Sequence, residues 1–254
     1  MSVGSIQRVL FRTLLRHVRE VRATGRPLVL HREVEVNRWG RFRYGDTLNP
    51  VASRDVLRNM LPESMLALPL DWPKTVLVSA AELRDLVVAL FRAPVPADAL
   101  AAEEHLDHGF LGLRVLASLT GLHQTTSVSV TEGVRIITTS TFVEKDDRGN
   151  DVYAYRVLIE NLNDYSIKLV GRHWIFQDGA GDTISVDKFA QGVVGQQPYL
   201  RPQQWFEYVS GVNLKCSPGQ MQGSMLLTRD SGDDWEAVIP PLALLSQPDQ
   251  GSMQ

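Results

Sequence analysis

The residues best suited to chemistry are basic side chains on either side of a short glycine loop. Arg172, His173 and Lys188 could contact a phosphate or a carboxylate, while Gly192 and Gly195 could expose backbone N–H groups to the same anion. The residues after this loop lead towards a strand, so no helix dipole would strengthen such a site. The alternative is a tight loop between strands in which glycine allows a positive φ, and the pattern favours this alternative.

A catalytic function is not predicted for these side chains. His173 could act as a general base, but that role needs a nucleophile or a second acid within reach. Glu160 and Asp187 are more typical of turn or surface positions, and the sequence identifies no nucleophile. We therefore expect a protein that is not an enzyme.

Metal and cysteine chemistry are also not predicted. His105 and His108 lie three residues apart beside Glu104, but no third ligand motif accompanies them, so a solvent-facing helix is the expected explanation. Cys216 is the only cysteine, which excludes an internal disulfide and indicates a reducing compartment. Its type is more often a small buried apolar residue than a nucleophile.

Charge is distributed unevenly along the 254 residues. Residues 1–121 contain 16 basic and 13 acidic residues, whereas the remainder contains 10 and 16, so the first part carries +3 and the second −6. The hydrophobic fraction of 44% can form real cores. No apolar run approaches the roughly 18 residues that a membrane span needs. We predict a basic helical region over residues 1–121, a β domain over 122–246 and a flexible tail over 247–254.

The first of these regions opens with a predicted amphipathic helix over residues 5–22. Leu10, Leu14, Val18 and Val21 repeat at helical spacing and form its apolar stripe. Arginines three or four residues apart lie on an adjacent face, where their mutual repulsion would be relieved by a negatively charged partner; they are Arg8, Arg12, Arg16 and Arg19.

The segment Leu10-Phe11-Arg12 resembles the LYR motif, with Phe in place of Tyr. Proteins with that motif are small mitochondrial three-helix bundles that bind an acylated acyl carrier protein, so the resemblance implies a helical bundle in the mitochondrial matrix with that partner. The only cofactor implied is the acyl-phosphopantetheine of the bound carrier. The chain departs from the pattern by an insert at about residues 25–50, and the partner-binding residues implied are Leu10, Phe11, Arg12, Arg16, Arg54 and Arg58.

Two questions about this basic region stay open. An arginine-rich first helix without acidic residues before Glu20 is also typical of a mitochondrial targeting peptide. The insert contains interleaved arginines and aromatic residues over 37–44, which could contact RNA by stacking and phosphate binding or could form a protein contact. Protein contact is the favoured interpretation, because no recognised RNA-binding signature surrounds the segment.

From about residue 125 the pattern changes to short runs rich in β-branched residues, separated by turns. Residues 134–143 and 152–160 are the longest of these runs, and Tyr153, Tyr155 and Val157 fall on one face of the second. Further strands are expected at 128–130, 167–176, 183–186, 205–209 and 222–228. Several short strands without intervening helices predict an antiparallel sandwich or barrel.

The carboxyl-terminal half resembles the ApaG domain family over about residues 125–245. The resemblance implies a fibronectin type III-like sandwich of about seven strands, and a binding module rather than an enzyme. Bacterial members carry a Gly-x-Gly-x-x-Gly loop linked to pyrophosphate or nucleotide binding, whose first glycine is Ala190 here. The matching positions include Tyr155, Ile159-Glu160-Asn161, Arg172-His173-Trp174, Gly195-Gln196-Gln197-Pro198, Phe206, Tyr208, Ser210-Gly211, Pro218-Gly219, Met221, Gly223 and Ile239-Pro240.

Together these observations predict a non-enzymatic mitochondrial adaptor. Its LYR-like helices would bind acyl carrier protein, and its ApaG domain would dock onto a large assembly such as a mitochondrial ribosome, an assembly intermediate or a respiratory complex. One alternative is a nucleotide- or pyrophosphate-binding ApaG module. Another is a substrate-recognition protein of the F-box type, for which residues 61–66 provide a weak resemblance.

Overall fold

The computed structural model describes residues 3–30, 77–92, 99–193 and 195–246. They divide into a helical unit ending at His123 and a β unit beginning at Gln124, close to the boundary predicted at Gly121. The arginines Arg54 and Arg58 lie outside the described residues, as do the F-box-like segment, most of the basic insert and the predicted tail.

The first helix, α1, spans Val3–Ala23 and confirms the predicted amphipathic helix. Its apolar stripe is buried as expected, with Leu10 and Leu14 at 2% and 0% exposure. The turn after the helix contains Gly25, which has a φ of 67° and whose N–H donates to the carbonyl of Arg22 at 3.1 Å. Pro27 cannot continue the helical ladder, so the chain leaves the helix there.

Two further helices complete the described part of the helical unit. Helix α2 (Ala80–Arg92) begins with a capping box, in which the Ser79 hydroxyl accepts from the N–H of Glu82 and the Glu82 carboxylate accepts from the N–H of Ser79. Helix α3 spans Ala99–His123. Two short strands, β1 (Leu28–Val29) and β2 (Leu77–Val78), pair antiparallel.

Helix α1 packs against both α2 and α3, and the three helices share one apolar core. A helical region is therefore present as predicted, whereas an LYR bundle stays a prediction, because the segment around Arg54 and Arg58 lies outside the described residues. None of the described helices combines the length and apolar character needed to cross a membrane.

The β unit is an all-β sandwich of two antiparallel sheets, as predicted. One sheet has the order β3-β4-β5-β9, and the other has the order β11-β10-β6-β7, with β8 also paired to β6. The described residues contain nine strands here, more than the seven or so expected: β3 (Thr126–Thr131), β4 (Val134–Lys145), β5 (Asp151–Asn161), β6 (Ile167–Gln177), β7 (Thr183–Gln191), β8 (Tyr199–Leu200), β9 (Trp205–Leu214), β10 (Gly219–Arg229) and β11 (Asp234–Leu244).

Aromatic side chains from both sheets form the centre of the sandwich. Trp174 is fully buried, which confirms the prediction that it fills the core. The ring of Tyr155 meets the ring of Trp174 edge-on at 5.6 Å between centroids and lies at the same distance from the ring of Phe176. Alternation along β5 therefore buries the tyrosine face that the sequence indicated.

Hydrogen bonds that involve side chains of β3 and β4 connect one sheet to β11 of the other sheet. The Ser129 hydroxyl donates to the carbonyl of Val238 at 2.6 Å, and the N–H of Val238 donates to the Thr131 hydroxyl at 3.3 Å. The Ser140 hydroxyl donates to the carbonyl of Ala243 at 2.8 Å. These contacts satisfy backbone groups of β11 that point away from β10.

Candidate functional site

The predicted anion-binding side chains Arg172 and His173 lie next to each other on β6, but both are bonded within the sandwich. The Arg172 guanidinium donates to the carbonyl of Gly192. The His173 Nδ1 lies 2.8 Å from the carbonyl of Val186. A carbonyl can only accept, so Nδ1 carries the hydrogen and only Nε2 of the ring is left to face another group.

The glycine loop is closed by its own backbone. The N–H of Gly192 donates to the carbonyl of Val170, and Val193 and Gln196 exchange N–H to carbonyl bonds, all at 2.8 Å. Three amides that could have surrounded a phosphate are therefore already used.

Glycine is required at position 192 for a structural reason. The residue has a φ of 60°, and a Cβ there would lie 2.2 Å from the carbonyl oxygen of Gln196. Gly195 also has a positive φ, of 78°, but a Cβ there would meet nothing within 4 Å. This geometry confirms the tight inter-strand loop. Anion binding at these residues stays a prediction, and the side chain of Lys188 lies outside the described ones.

The acidic and histidine residues considered for chemistry are spread over the molecule. Glu160 forms an ion pair with Arg135 at 2.9 Å between Oε2 and the guanidinium. The pKa of His105 is lowered by desolvation and, secondarily, by His108. Among the residues that the structure describes, no three His, Cys, Asp or Glu side chains are grouped closely enough to hold a metal ion.

A buried ion pair on β5 and β9 was not foreseen from the sequence. The Arg156 guanidinium donates to the Glu207 carboxylate, and the two side chains are 6% and 8% exposed. Burial raises the pKa of Glu207, an effect that the bonded and charged Arg156 opposes. Because each charge is removed from water, each depends on the other for compensation.

The LYR-like residues divide between the core and the surface of α1. Leu10 is a core residue, and the ring of Phe11 packs on the ring of Phe91 at 5.1 Å between centroids. Arg12 is exposed, and Arg16 is exposed with a weak contact to Glu20 at 3.8 Å. Both guanidiniums are therefore accessible to solvent, and partner binding by them stays a prediction.

A groove lies between α1 and α2 in the helical unit. It has a volume of about 420 Å³ and is lined by three apolar side chains, by Gly4 and Gln7, and by three arginines, Arg8, Arg84 and Arg92. Arg8 was expected on the arginine face of α1, whereas Arg84 and Arg92 were not foreseen from the sequence. The signal was their spacing on α2, where Arg84, Val88 and Arg92 repeat every four residues and so share one face.

Comparison with known proteins identifies the class to which the sandwich belongs. A family model described as ApaG domain matches residues 143–229. A protein named ApaG from Anaeromyxobacter dehalogenans (strain 2CP-C) is 39% identical over 120 residues, which cover 47% of this chain and 94% of that protein. A second ApaG protein, from Xanthomonas axonopodis pv. citri (strain 306), is 43% identical over 98 residues, covering 39% and 76%.

A solved structure described as an ApaA protein from Bordetella pertussis is similar to 50% of this chain and 98% of its own, with 30% identity and a TM-score of 0.42. The sequence matches show that this chain belongs to the ApaG family. The curated relatives are bacterial proteins whose names state no reaction. The family model does not reach the helical unit, so the LYR-like character of α1 stays a prediction.

Proposed function

We propose that this ApaG-domain protein is a non-enzymatic adaptor whose sandwich is a protein-docking module. The main observation in support is that the candidate site residues form hydrogen bonds to other groups of the sandwich. Arg172, His173 and the Gly192 loop all form hydrogen bonds within the sandwich. These bonds support a structural role in positioning the strands and not a role in binding a substrate.

Exposed apolar side chains on the same sandwich support docking. Val130 and Val238, which we call the valine corner, are 58% and 55% exposed on β3 and β11. The Ser129 and Thr131 hydroxyls already satisfy the backbone of Val238, so a partner cannot extend the sheet at that point. The remaining mode of contact is apolar packing, and the net charge of −6 over residues 122–254 favours a partner with a basic rim.

The helical unit is proposed to bind a second partner, which differs from the partner of the sandwich. Helix α1 would bind acyl carrier protein through Arg12 and Arg16, in the mitochondrial matrix, while the sandwich docks onto a large protein or ribonucleoprotein assembly. Support comes from the exposure of both guanidiniums and from the buried position of Leu10, which holds the helix with its arginine face outward.

Each half of the proposal has its own variant and control. The protein is crosslinked in its cells and purified together with the partner of its sandwich. The double variant Val130→Asp with Val238→Asp should no longer recover that partner. The control Ile184→Asp on β7 should still recover it. Charge reversal at Arg12 and Arg16 should abolish capture of purified acyl carrier protein, whereas reversal at Arg148 and Arg201, which are exposed in the β unit, should leave it intact.

The two halves can fail separately. A sandwich partner that is retained by the valine-corner variant would refute docking at that corner. Absence of acyl carrier protein binding, or binding that ignores Arg12 and Arg16, would refute binding of the second partner and leave the docking module standing.

A further inference from the structure

We propose that the groove between α1 and α2 binds a small organic phosphate, meaning a phosphate ester with an apolar body. This inference does not depend on the proposed function, because it uses residues other than Arg12, Arg16 and the valine corner. It rests on the juxtaposition, in one concave site, of an aromatic floor and three guanidinium groups.

The floor of the groove is apolar and held in place by the core. The rings of Phe11 and Phe91 lie 5.1 Å apart at an interplanar angle of 55°, and both are only partly buried. Both side chains pack against the buried core of the helical unit. Val88 is a third apolar residue that lines the groove. An alkyl or aromatic group placed there would be removed from water without any rearrangement of the core.

The rim of the groove carries positive charge, and no carboxylate lines it among the residues that the structure describes. Arg8, Arg84 and Arg92 all line it and are all exposed. Arg8 is oriented by a bond from its Nε to the carbonyl of Gly4 at 3.1 Å, which leaves its terminal nitrogens to face another group. The nearby Asp85 contacts Arg84 at 3.4 Å, but the two side chains are 63% and 73% exposed, so this pair is weak.

A phosphate monoester matches this rim better than a single carboxylate does. It carries between one and two negative charges near neutral pH and three acceptor oxygens, so it can satisfy more than one guanidinium. Inorganic phosphate would use the rim but leave the aromatic floor wet, and a neutral hydrocarbon would use only the floor. An ester that uses both parts is therefore the ligand class that the groove selects.

The test compares four probes by calorimetry with the full-length protein at low ionic strength. Octyl phosphate and adenosine monophosphate each combine a phosphate group with an alkyl or aromatic group. Inorganic phosphate has only the phosphate group, and octanol has only the alkyl group. At least one ester should bind roughly tenfold or more tightly than inorganic phosphate and than octanol. The better ester shows whether the body is alkyl or aromatic. Esters that bind no more tightly than inorganic phosphate would overturn the proposal.

Variants separate the groove from general positive charge. Arg84→Gln with Arg92→Gln should weaken ester binding by roughly tenfold or more, and because both residues are exposed the fold should persist. The matched control, Arg19→Gln with Arg22→Gln, removes the same charge from α1 outside the groove and should leave the affinity nearly unchanged. Equal loss in both variants would show non-specific attraction and refute the site. Val88→Trp should fill the floor and remove the advantage of esters over phosphate.

Discussion

Two sets of arginines, one in each unit of this protein, are in opposite situations. In the β unit, Arg172 and Arg156 are bonded to groups inside the sandwich. In the helical unit, the exposed side chains of Arg8, Arg84 and Arg92 line the rim of the groove between α1 and α2. The contrast shows that the density of charge along a chain does not identify a binding site. What identifies it is whether the charged groups have already been compensated within the fold.

The largest expected effect is a core truncation that tests whether the units are independent. Trp174→Ala should destabilise the sandwich by about 3–5 kcal/mol, because the side chain is fully buried. Leu14→Ala should destabilise the helical unit by about 2–5 kcal/mol for the same reason. Hydrogen exchange measured by mass spectrometry reports on each unit separately. Equal loss of protection in both units after either change would show that the two units do not unfold independently.

The buried ion pair should show strong coupling between its partners. Arg156→Met alone should cost about 3 kcal/mol, because it leaves the buried Glu207 carboxylate without its countercharge. Adding Glu207→Leu removes that charge and should restore most of the lost free energy of unfolding. Urea denaturation of the two singles and the double completes the cycle, and a double variant as unstable as the sum of the singles would show that the charges act independently.

The glycine loop offers a matched pair of substitutions. Gly192→Ala should destabilise the sandwich by roughly 3 kcal/mol, since it combines a strained φ with a clash against the Gln196 carbonyl. Gly195→Ala introduces only the strained φ and should cost roughly 1 kcal/mol. Thermal denaturation measures both. Similar small effects would mean that the loop is open enough to receive an anion.

The smallest expected effect is a pH dependence of opposite sign in the two units. Burial, and secondarily Arg26, lowers the pKa of His123, whose Nε2 bonds the Thr24 hydroxyl at 2.7 Å. A lowered histidine pKa contributes stability that is present above the unfolded value of 6.5 and is lost as the pH falls through the folded value. The helical unit should therefore weaken on acidification.

Glu207 acts in the other direction. Its raised pKa contributes stability that is fully present below the unfolded value of 4.5 and is lost as the pH rises through the folded value. Hydrogen exchange between pH 7.5 and 4.5, corrected for intrinsic rates, should show the opposed trends. His123→Gln and Glu207→Gln should each flatten the trend of its own unit, and a trend that survives its variant must come from another group.

Strands were predicted correctly where β-branched runs are bounded by turns. A strand was missed where its position at the edge of a sheet tolerates proline, a residue that usually argues against a strand. Strands β4, β5 and β6 were predicted within one or two residues, because their β-branched runs are bounded by turns. Strand β11 was missed, since it contains Pro240 and Pro241. Proline is tolerated there because β11 is at the edge of its sheet, where one side needs no ladder bonds.

The candidate sites were predictable only in part. The arginine face of α1 follows from periodicity within one helix, so the exposure of Arg12 and Arg16 was predictable, while their binding role stays a prediction. The groove was not predictable, because Arg8 and Arg84 come together only when α1 packs on α2. In the sandwich, the sequence identified the glycine loop but not the partners of its amides.

By itself the sequence determined the amphipathic first helix, the all-β character of the second half and its membership of the ApaG family. These properties depend on local periodicity and on residue identities at many spaced positions. The tertiary structure alone decided that the Gly192 loop is closed and that Phe11, Phe91 and three arginines form one groove. Hydrogen-bond partners and concave surfaces are made by residues distant in the chain, so no local pattern specifies them.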